Sequence, residues 1–307
     1  MVISGKTGIL GVIGHPIGHS LSPVMHNAAL ANMIQSGANA DSVNAGSVNV
    51  DFVYVAFPIA PENLGTAMAG FEAIGLRGLS VTIPHKQAVM QHLVSITEVA
   101  QAIGAVNTVW KEPDGWHGTN TDMVGFIAPL VAMQRDWSQS TAICLGNGGA
   151  ARAVVAGCAE LGFRSIQVVG RDLEKLQAFQ SSFQSVDSIR DRLSVHSWNE
   201  LENLLPNANV MINSTPIGMA PKIEASPLNQ SQTALIQPGS IAYDLIYTPS
   251  PTQFLQQAAE RGAIAIDGLE MLVQQGAAAL KIWTGCEEIP VGVMRRSLQE
   301  KLGLVVQ

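Results

Sequence analysis

The chain has 307 residues, with 17 Lys and Arg against 24 Asp and Glu and a formal net charge of −7. That length allows two ordinary domains, and 47% hydrophobic residues suffice for a sizeable core in each. Sparse charge without a Lys/Arg cluster excludes a nucleic-acid surface. The opening MVISGKTGILGVIG lacks the basic region, unbroken apolar run and cleavage site of a secretory signal.

Three cysteines, Cys144, Cys158 and Cys286, are odd in number and widely spaced. They fit reduced thiols of a cytoplasmic protein better than a disulfide framework or a zinc site. Residues 7–40 carry no charged side chain, but His15, Pro16, His19, Ser20, Pro23 and His26 interrupt them too often for a membrane span.

The first predicted strand is GILGVIG (8–14), and it runs into GHPIGHSLSPVMHN (14–27). Pro23 suits the first turn of a helix that continues VMHNAALANM, with Ser22 as N-cap. The hydroxyls of Ser20 and Ser22, with the free N–H groups of that helix, would face an anion such as a small carboxylate. A metal site would need His15, His19 and His26 to converge across two prolines with no carboxylate or thiolate nearby. A serine nucleophile would need a G-x-S-x-G elbow, which the chain does not offer. His26 reads as a packing or hydrogen-bonding residue of the helix.

DFVYVAFPI (51–59) and GLSVTI (78–83) are the next strands. Alternation in the latter puts Leu79, Val81 and Ile83 on one face and Ser80 and Thr82 on the other. Pro84 stops the ladder, so His85 and Lys86 stand at the strand's C-terminal end, where open α/β sheets bind ligands. AVNTVW (105–110) follows, then KEPDGWHG, a hairpin turn with Pro113 at position i+1 and Gly115 at i+3. Asp122 in GTNTDMVG could cap the helix predicted over 121–137, or pair with Lys86 as an acid/base couple.

A second strand series comprises TAICLG (141–146), SIQVVG (165–170), LSVHSW (193–198), NVMINST (209–215), IAYDLIY (241–247) and AIAID (263–267). Helical stretches alternate with these strands, which predicts parallel sheets of βαβ units. The first of them leads into Gly146-Asn147-Gly148-Gly149-Ala150-Ala151, a G-x-G-x-x-A pattern between strand and helix, where dinucleotides bind. The next strand ends VVGRD: Arg171 could pair with the 2′-phosphate of NADP, while Asp172 could accept from the bare ribose of NAD or cap a helix. The polar stretch 180–191 reads as a mobile loop, and two helices, LEMLVQQGAAALKIWTG and VGVMRRSLQEKLG, close the chain.

GHPIGHSLSPVMHN, SVTIPHK, GAVNTVW, GTNTDMVG, GNGGAAR, NSTPIGM, YDLIYTPSPTQF and DGLEMLVQQGAAALKIWTG run in order from about residue 8 to residue 285. Together they resemble the shikimate dehydrogenase family. The resemblance implies an α/β fold of two domains: 1–121 plus 268–307 binding substrate, with the C-terminal helices returning to it, and a Rossmann-type domain over 122–267 binding NADP. It implies reversible NADPH-dependent reduction of 3-dehydroshikimate to shikimate, a step towards the aromatic amino acids, by a cytoplasmic monomer or homodimer.

Lys86 and Asp122 match the family's catalytic pair. Ser20, Ser22, Thr82, Asn107, Asp122, Tyr247 and Gln275 match substrate-holding positions. Gly146, Asn147, Gly148, Gly149, Ala150 and Arg171 match the NADP loops; Leu245 and Gly268 match positions near the nicotinamide, and Glu98 a cofactor-side position. No metal is implied, and the fused dehydratase arrangement of plants is not expected. Departures from the commonest pattern are Ser80 for Asn, Asn147 for Ala, and Gly170-Arg171-Asp172 for Asn-Arg-Thr. The alternatives are an NAD-dependent quinate/shikimate dehydrogenase and a non-catalytic NADP-binding regulator; the latter would need no proton-transfer couple.

Overall fold

A computed structural model of the chain describes residues 3–36 and 50–304. Its Cα packing separates two compact units, Met1–Thr121 with Val273–Gln307, and Asp122–Leu272.

The first unit is built on a mixed sheet. β1 (Gly8–Gly14) lies between β2 (Phe52–Pro58) and β3 (Gly78–Val81), parallel to both. β3 continues antiparallel into β5 (Thr108–Glu112) and β6 (Gly115–Thr119), with the two-residue β4 (Ser95–Ile96) at the far edge. The β5–β6 hairpin closes at Glu112 opposite Gly115, so Pro113 occupies the expected turn position. β4 and β6 are strands that the sequence pattern does not reveal. GWHGT has neither alternation nor β-branched density, and its partner β5 makes it a strand.

Three helices follow the same early segment: α1 (Ser22–Gln35), α2 (Leu64–Ala73) and α3 (Glu98–Ile103). α1 buries Met25, His26, Ala29, Leu30 and Met33, the spacing of one helical face. α2 contributes Leu64, Met68 and Phe71 to a core shared with Ile13, Leu79 and Val81. Two local expectations are corrected here. Ser22 is the first residue of α1 and Leu21 the N-cap, with no side-chain cap, because the helix begins one residue earlier than the serine could cap it. β3 stops at Val81, and Ile83, past the end of the pleat, is 68% exposed instead of sharing the buried face of Leu79 and Val81.

The second unit begins with α4 (Asp122–Ala132) and carries a fully parallel sheet of β7 (Thr141–Leu145), β8 (Ser165–Gly170), β9 (Leu193–Ser197), β10 (Val210–Asn213), β11 (Ile241–Asp244) and β12 (Ile264–Ile266). The order β12-β11-β10-β7-β8-β9 reverses direction between β7 and β10, as in a doubly wound dinucleotide-binding sheet. All five residues of β7 are buried, as expected of a central parallel strand covered on both faces.

Its helices are α5 (Gly149–Glu160), α6 (Leu173–Ser181), the single turns α7 (Asp187–Arg190), α8 (Leu201–Leu204) and α9 (Gln230–Thr233), and α10 (Gln253–Glu260). The stretch 180–191 is not a plain loop: it holds the end of α6 and α7, and it is pinned by buried Phe183 and Ile189. α11 (Leu269–Thr284) contains the division between the units, and α12 (Val291–Lys301) packs on α1. Among the described residues no helix is long and apolar enough to cross a membrane.

Candidate active site

In the first unit, the start of α1 and the ends of β3 and β5 carry the polar groups. Ser20 Oγ accepts the Ser22 N–H at 3.3 Å, which orients the two serines together at the head of the helix. Asn107 is buried. Its Oδ1 accepts from the Thr121 N–H (2.7 Å) and Thr108 Oγ1 (3.0 Å), and its Nδ2 donates to Gln275 Oε1 (3.4 Å). The structure thereby joins two predicted substrate residues 168 positions apart in the chain. Gln275 reaches this position because α11 runs close over α1: a Cβ at the neighbouring Gly276 would collide with Met25.

Thr82 is fixed by its N–H donating to Ile13 O (3.0 Å), and its carbonyl accepts from the His85 N–H (2.8 Å). His85 is buried, with Nε2 donating to Ile59 O at 2.7 Å, so it locks the turn. Half-buried Lys86 follows, its carbonyl accepting from the Val106 N–H (2.8 Å). His15 and His19 are exposed whereas His26 is buried, so the three histidines do not converge. Among the described residues no group of three or more His, Cys, Asp or Glu is placed to hold a metal ion.

No motif in the sequence marks Tyr54, a fully buried residue of β2. Its hydroxyl donates to Ser80 Oγ at 2.8 Å. His26 stacks on its ring at 4.2 Å between centroids and 18° between planes. Burial pushes the Tyr54 phenol well above its ordinary pKa and lowers His26 to about 3, so both are neutral.

In the second unit, Asp122 is buried at the first position of α4, directly after Thr121 in the chain. Gly146 adopts φ +104°, and a Cβ there would meet Ser214 Oγ and Thr215 Cγ2 at 2.9 Å, so the turn out of β7 requires glycine. Around Gly148, the N-cap of α5, a Cβ would find open space, and no side chain caps the helix. Asn147, Gly149 and Ala150 are half-buried around it, and Ala151 is buried. The first-turn N–H groups of α5 therefore face room for an anion, which fits a pyrophosphate.

Arg171 is exposed at the end of β8. Asp172 is the N-cap of α6: its Oδ1 accepts the Lys175 N–H (3.1 Å), and its Oδ2 lies 3.3 Å from Lys175 Nζ. Those contacts, the backbone bond foremost, hold its carboxyl below the usual range. Of the two roles open to Asp172 at VVGRD, the structure shows the helix cap.

Lys175 itself escaped the sequence reading; its only signal is a cation one turn beyond Arg171. Leu245 and Gly268 are adjacent, since a Cβ on Gly268 would collide with the Leu245 carbonyl, and the Gly268 N–H donates to Ile246 O (3.1 Å). Tyr247 is half-buried beyond β11. Glu98 is exposed at the start of α3, in the first unit.

Three family models match the chain: shikimate dehydrogenase substrate binding domain over residues 12–109, shikimate / quinate 5-dehydrogenase over 130–238, and shikimate 5′-dehydrogenase C-terminal domain over 268–299. The chain is 57% identical over 305 residues to the shikimate dehydrogenase (NADP(+)) of Trichormus variabilis, covering 99% of this chain and all of the relative. A shikimate dehydrogenase crystallised with NADP+ superposes with a TM-score of 0.85 at 35% identity, covering 98% of both chains. The shikimate 5-dehydrogenase of Listeria monocytogenes, crystallised with shikimate and NAD, gives a TM-score of 0.82 at 29% identity over 96% of this chain and 98% of that one. A glycine turn at a parallel-sheet switch point, a polar cluster at the head of α1 and end-to-end similarity of this kind have one explanation: the chain belongs to the shikimate dehydrogenase family.

Proposed function

We propose that this protein catalyses the reversible NADPH-dependent reduction of 3-dehydroshikimate to shikimate, within aromatic amino-acid biosynthesis. The observation that carries the reading is the buried, uncharged polar set Ser22, Asn107 and Gln275, held by hydrogen bonds from the Ser22 N–H to Ser20 and from Asn107 to Gln275, in the unit that also presents Lys86. A small polyhydroxylated carboxylate needs such groups to be fixed before it arrives, because the entropy of ordering them is then already met.

Residues 1–121 with 268–307 form the substrate-binding domain, and 122–267 the NADP-binding domain. Ser20 and Ser22 donate to the carboxylate. Thr82, Asn107, Asp122, Tyr247 and Gln275 hold the ring hydroxyls. When bound, NADP supplies or accepts the hydride. Gly146 to Ala150 and Arg171 hold its phosphates, Leu245 and Gly268 line the nicotinamide, and Glu98 stands on the cofactor side.

Reduction of a ketone leaves negative charge on its oxygen. Lys86 delivers a proton to that oxygen, and in the oxidation direction the proton returns to Lys86. Asp122 steadies the lysine and the reacting hydroxyl. The protein works in the cytoplasm on small molecules alone, as a monomer or homodimer.

Absorbance at the reduced-nicotinamide band, with shikimate or quinate and NADP⁺ or NAD⁺ in each combination, tests this directly. Turnover is expected with shikimate and NADP⁺, falling roughly 10²–10⁴-fold in Lys86→Ala. A preference for quinate or NAD⁺ would assign the protein to the quinate/shikimate branch, and cofactor binding with no turnover would end the enzyme reading.

A further inference from the structure

Two of the quoted motifs, NSTPIGM and YDLIYTPSPTQF, give only Leu245 and Tyr247 to the site assigned above. Their other polar residues meet at the C-terminal edge of the parallel sheet in the second unit. Asn213 ends β10 and Asp244 ends β11, and the two are register partners. Asn213, Asp244 and Thr252 are all fully buried.

Asp244 Oδ1 accepts from Asn213 Nδ2 (3.0 Å) and from the Ile246 N–H (3.0 Å), and its Oδ2 accepts from Thr252 Oγ1 (2.7 Å). Burial pushes this carboxyl up to about 6, so at neutral pH it is an anion met by three donors. A buried carboxylate is costly to keep. Here it joins the loop that follows β10 to the loop that follows β11.

Two branches of the network end at groups assigned to the cofactor. One runs through Asn213, whose Oδ1 accepts from the Thr215 N–H (3.1 Å) and from Thr215 Oγ1 (2.7 Å). Thr215 Cγ2, with Ser214 Oγ, walls the turn at Gly146, where a Cβ would meet both at 2.9 Å. The other runs through Ile246, whose carbonyl accepts from the Gly268 N–H (3.1 Å) beside Leu245. Thr252 anchors the third side: as N-cap of α10 it also accepts the Leu255 N–H (3.4 Å).

We infer that Asp244 is a positioning residue for the dinucleotide, one carboxylate holding the pyrophosphate turn at Gly146 and the nicotinamide wall at Leu245 and Gly268 in fixed relation. The inference rests on the assignment of Gly146, Leu245 and Gly268 to NADP. Asp244 acts through Asn213 and Ile246, not by contact with the cofactor. Walls fixed in advance spare the complex the entropy of ordering them. The adenosine end is assigned to Arg171, which follows β8, two strands from β10 in the sheet.

The test titrates NADPH into the protein, read by its nicotinamide fluorescence, and 2′,5′-ADP in parallel by calorimetry. 2′,5′-ADP carries the 2′-phosphate and adenosine but no nicotinamide and no second bridging phosphate. Asp244→Ala is expected to weaken NADPH about tenfold, the order of one lost hydrogen bond to a charged group, and NADH by the same factor. Affinity for 2′,5′-ADP stays at the wild-type value. Asp244→Asn keeps Oδ1 for both N–H donors, and the Thr252 hydroxyl turns to accept from the new amide, so wild-type NADPH affinity is expected to return. Asn213→Ala cuts the branch to Thr215 alone; it is expected to weaken NADPH in the same direction and serves if Asp244→Ala does not fold.

Unchanged NADPH affinity in Asp244→Ala, or in Asn213→Ala where the first does not fold, would overturn the inference. An equal loss for 2′,5′-ADP would also overturn it, marking a merely structural role, as would an Asp244→Asn as weak as Asp244→Ala. Wild-type NADPH affinity in Gly146→Ala would instead overturn the assignment of the glycine turn, and the inference with it.

Discussion

At the scale of single residues, Asp172 decides how the cofactor end is read. An acidic side chain after β8 usually signals a ribose acceptor, but here it caps α6 and binds Lys175. Arg171, exposed beside it, is the proposed partner of a 2′-phosphate. Arg171→Ala is therefore expected to raise KM for NADP⁺ by at least tenfold and leave KM for NAD⁺ nearly unchanged, checked by steady-state kinetics with both cofactors. Asp172→Asn keeps a capping acceptor and removes the charge, so NADP⁺ should bind slightly better with no gain for NAD⁺. A collapse of NAD⁺ activity in that variant would make Asp172 the selector after all. The sequence displayed both residues, yet which one is free depends on where α6 starts.

At the scale of elements, close approaches explain glycines that carry no turn. A Cβ on Gly78 would collide with the Trp283 indole, which is buried and tied to Val109 O. The end of α11 thus places its tryptophan against the first residue of β3. Gly78→Ala is expected to cost about 1–3 kcal/mol by overpacking, read as a lower melting temperature with the far-ultraviolet spectrum retained. Similarly, α4 and α5 meet where a Cβ on Gly157 would lie 2.6 Å from Phe126, whose ring stacks on Tyr243. None of these glycines stands out in the sequence, because the partner that forbids a side chain is remote.

At the scale of the whole molecule, two buried titratable groups, one in each unit, respond oppositely to pH. Burial lowers His26 from 6.5 to about 3. Between those values the unfolded chain binds the extra proton, so this contribution is complete above pH 6.5 and is lost as pH falls towards 3. Asp244 is raised from 3.8 to about 6, by burial against bonds from Thr252, Ile246 and Asn213. The native state binds that proton more tightly, so its contribution is present below pH 4 and is lost as pH rises through 6. Hydrogen exchange followed by mass spectrometry is expected to show the first unit losing protection between pH 7 and 5 relative to the second. His26→Leu should flatten the acid loss of the first unit, and equal responses from both units would contradict the assignment.

Much of this protein is written locally. Short β-branched runs bounded by turn residues set ten of the strands, because that signal needs only sequence neighbours. The strand–glycine–helix signature at 141–151 is likewise a local rule, enforced by φ at Gly146 and by the helix amides after it. The chain's own pattern was therefore enough for two α/β units and a glycine turn between strand and helix.

Tertiary structure decided what depends on distant partners. β6 is a strand because β5 pairs with it, and Asn107 meets Gln275 across 168 residues. Asn27 completes an edge strand 27 residues away, and Tyr54 joins Ser80 across 26. No periodicity records such contacts. They exist only once the sheet has placed its strands side by side, and a buried hydroxyl must then find whichever partner lies beside it.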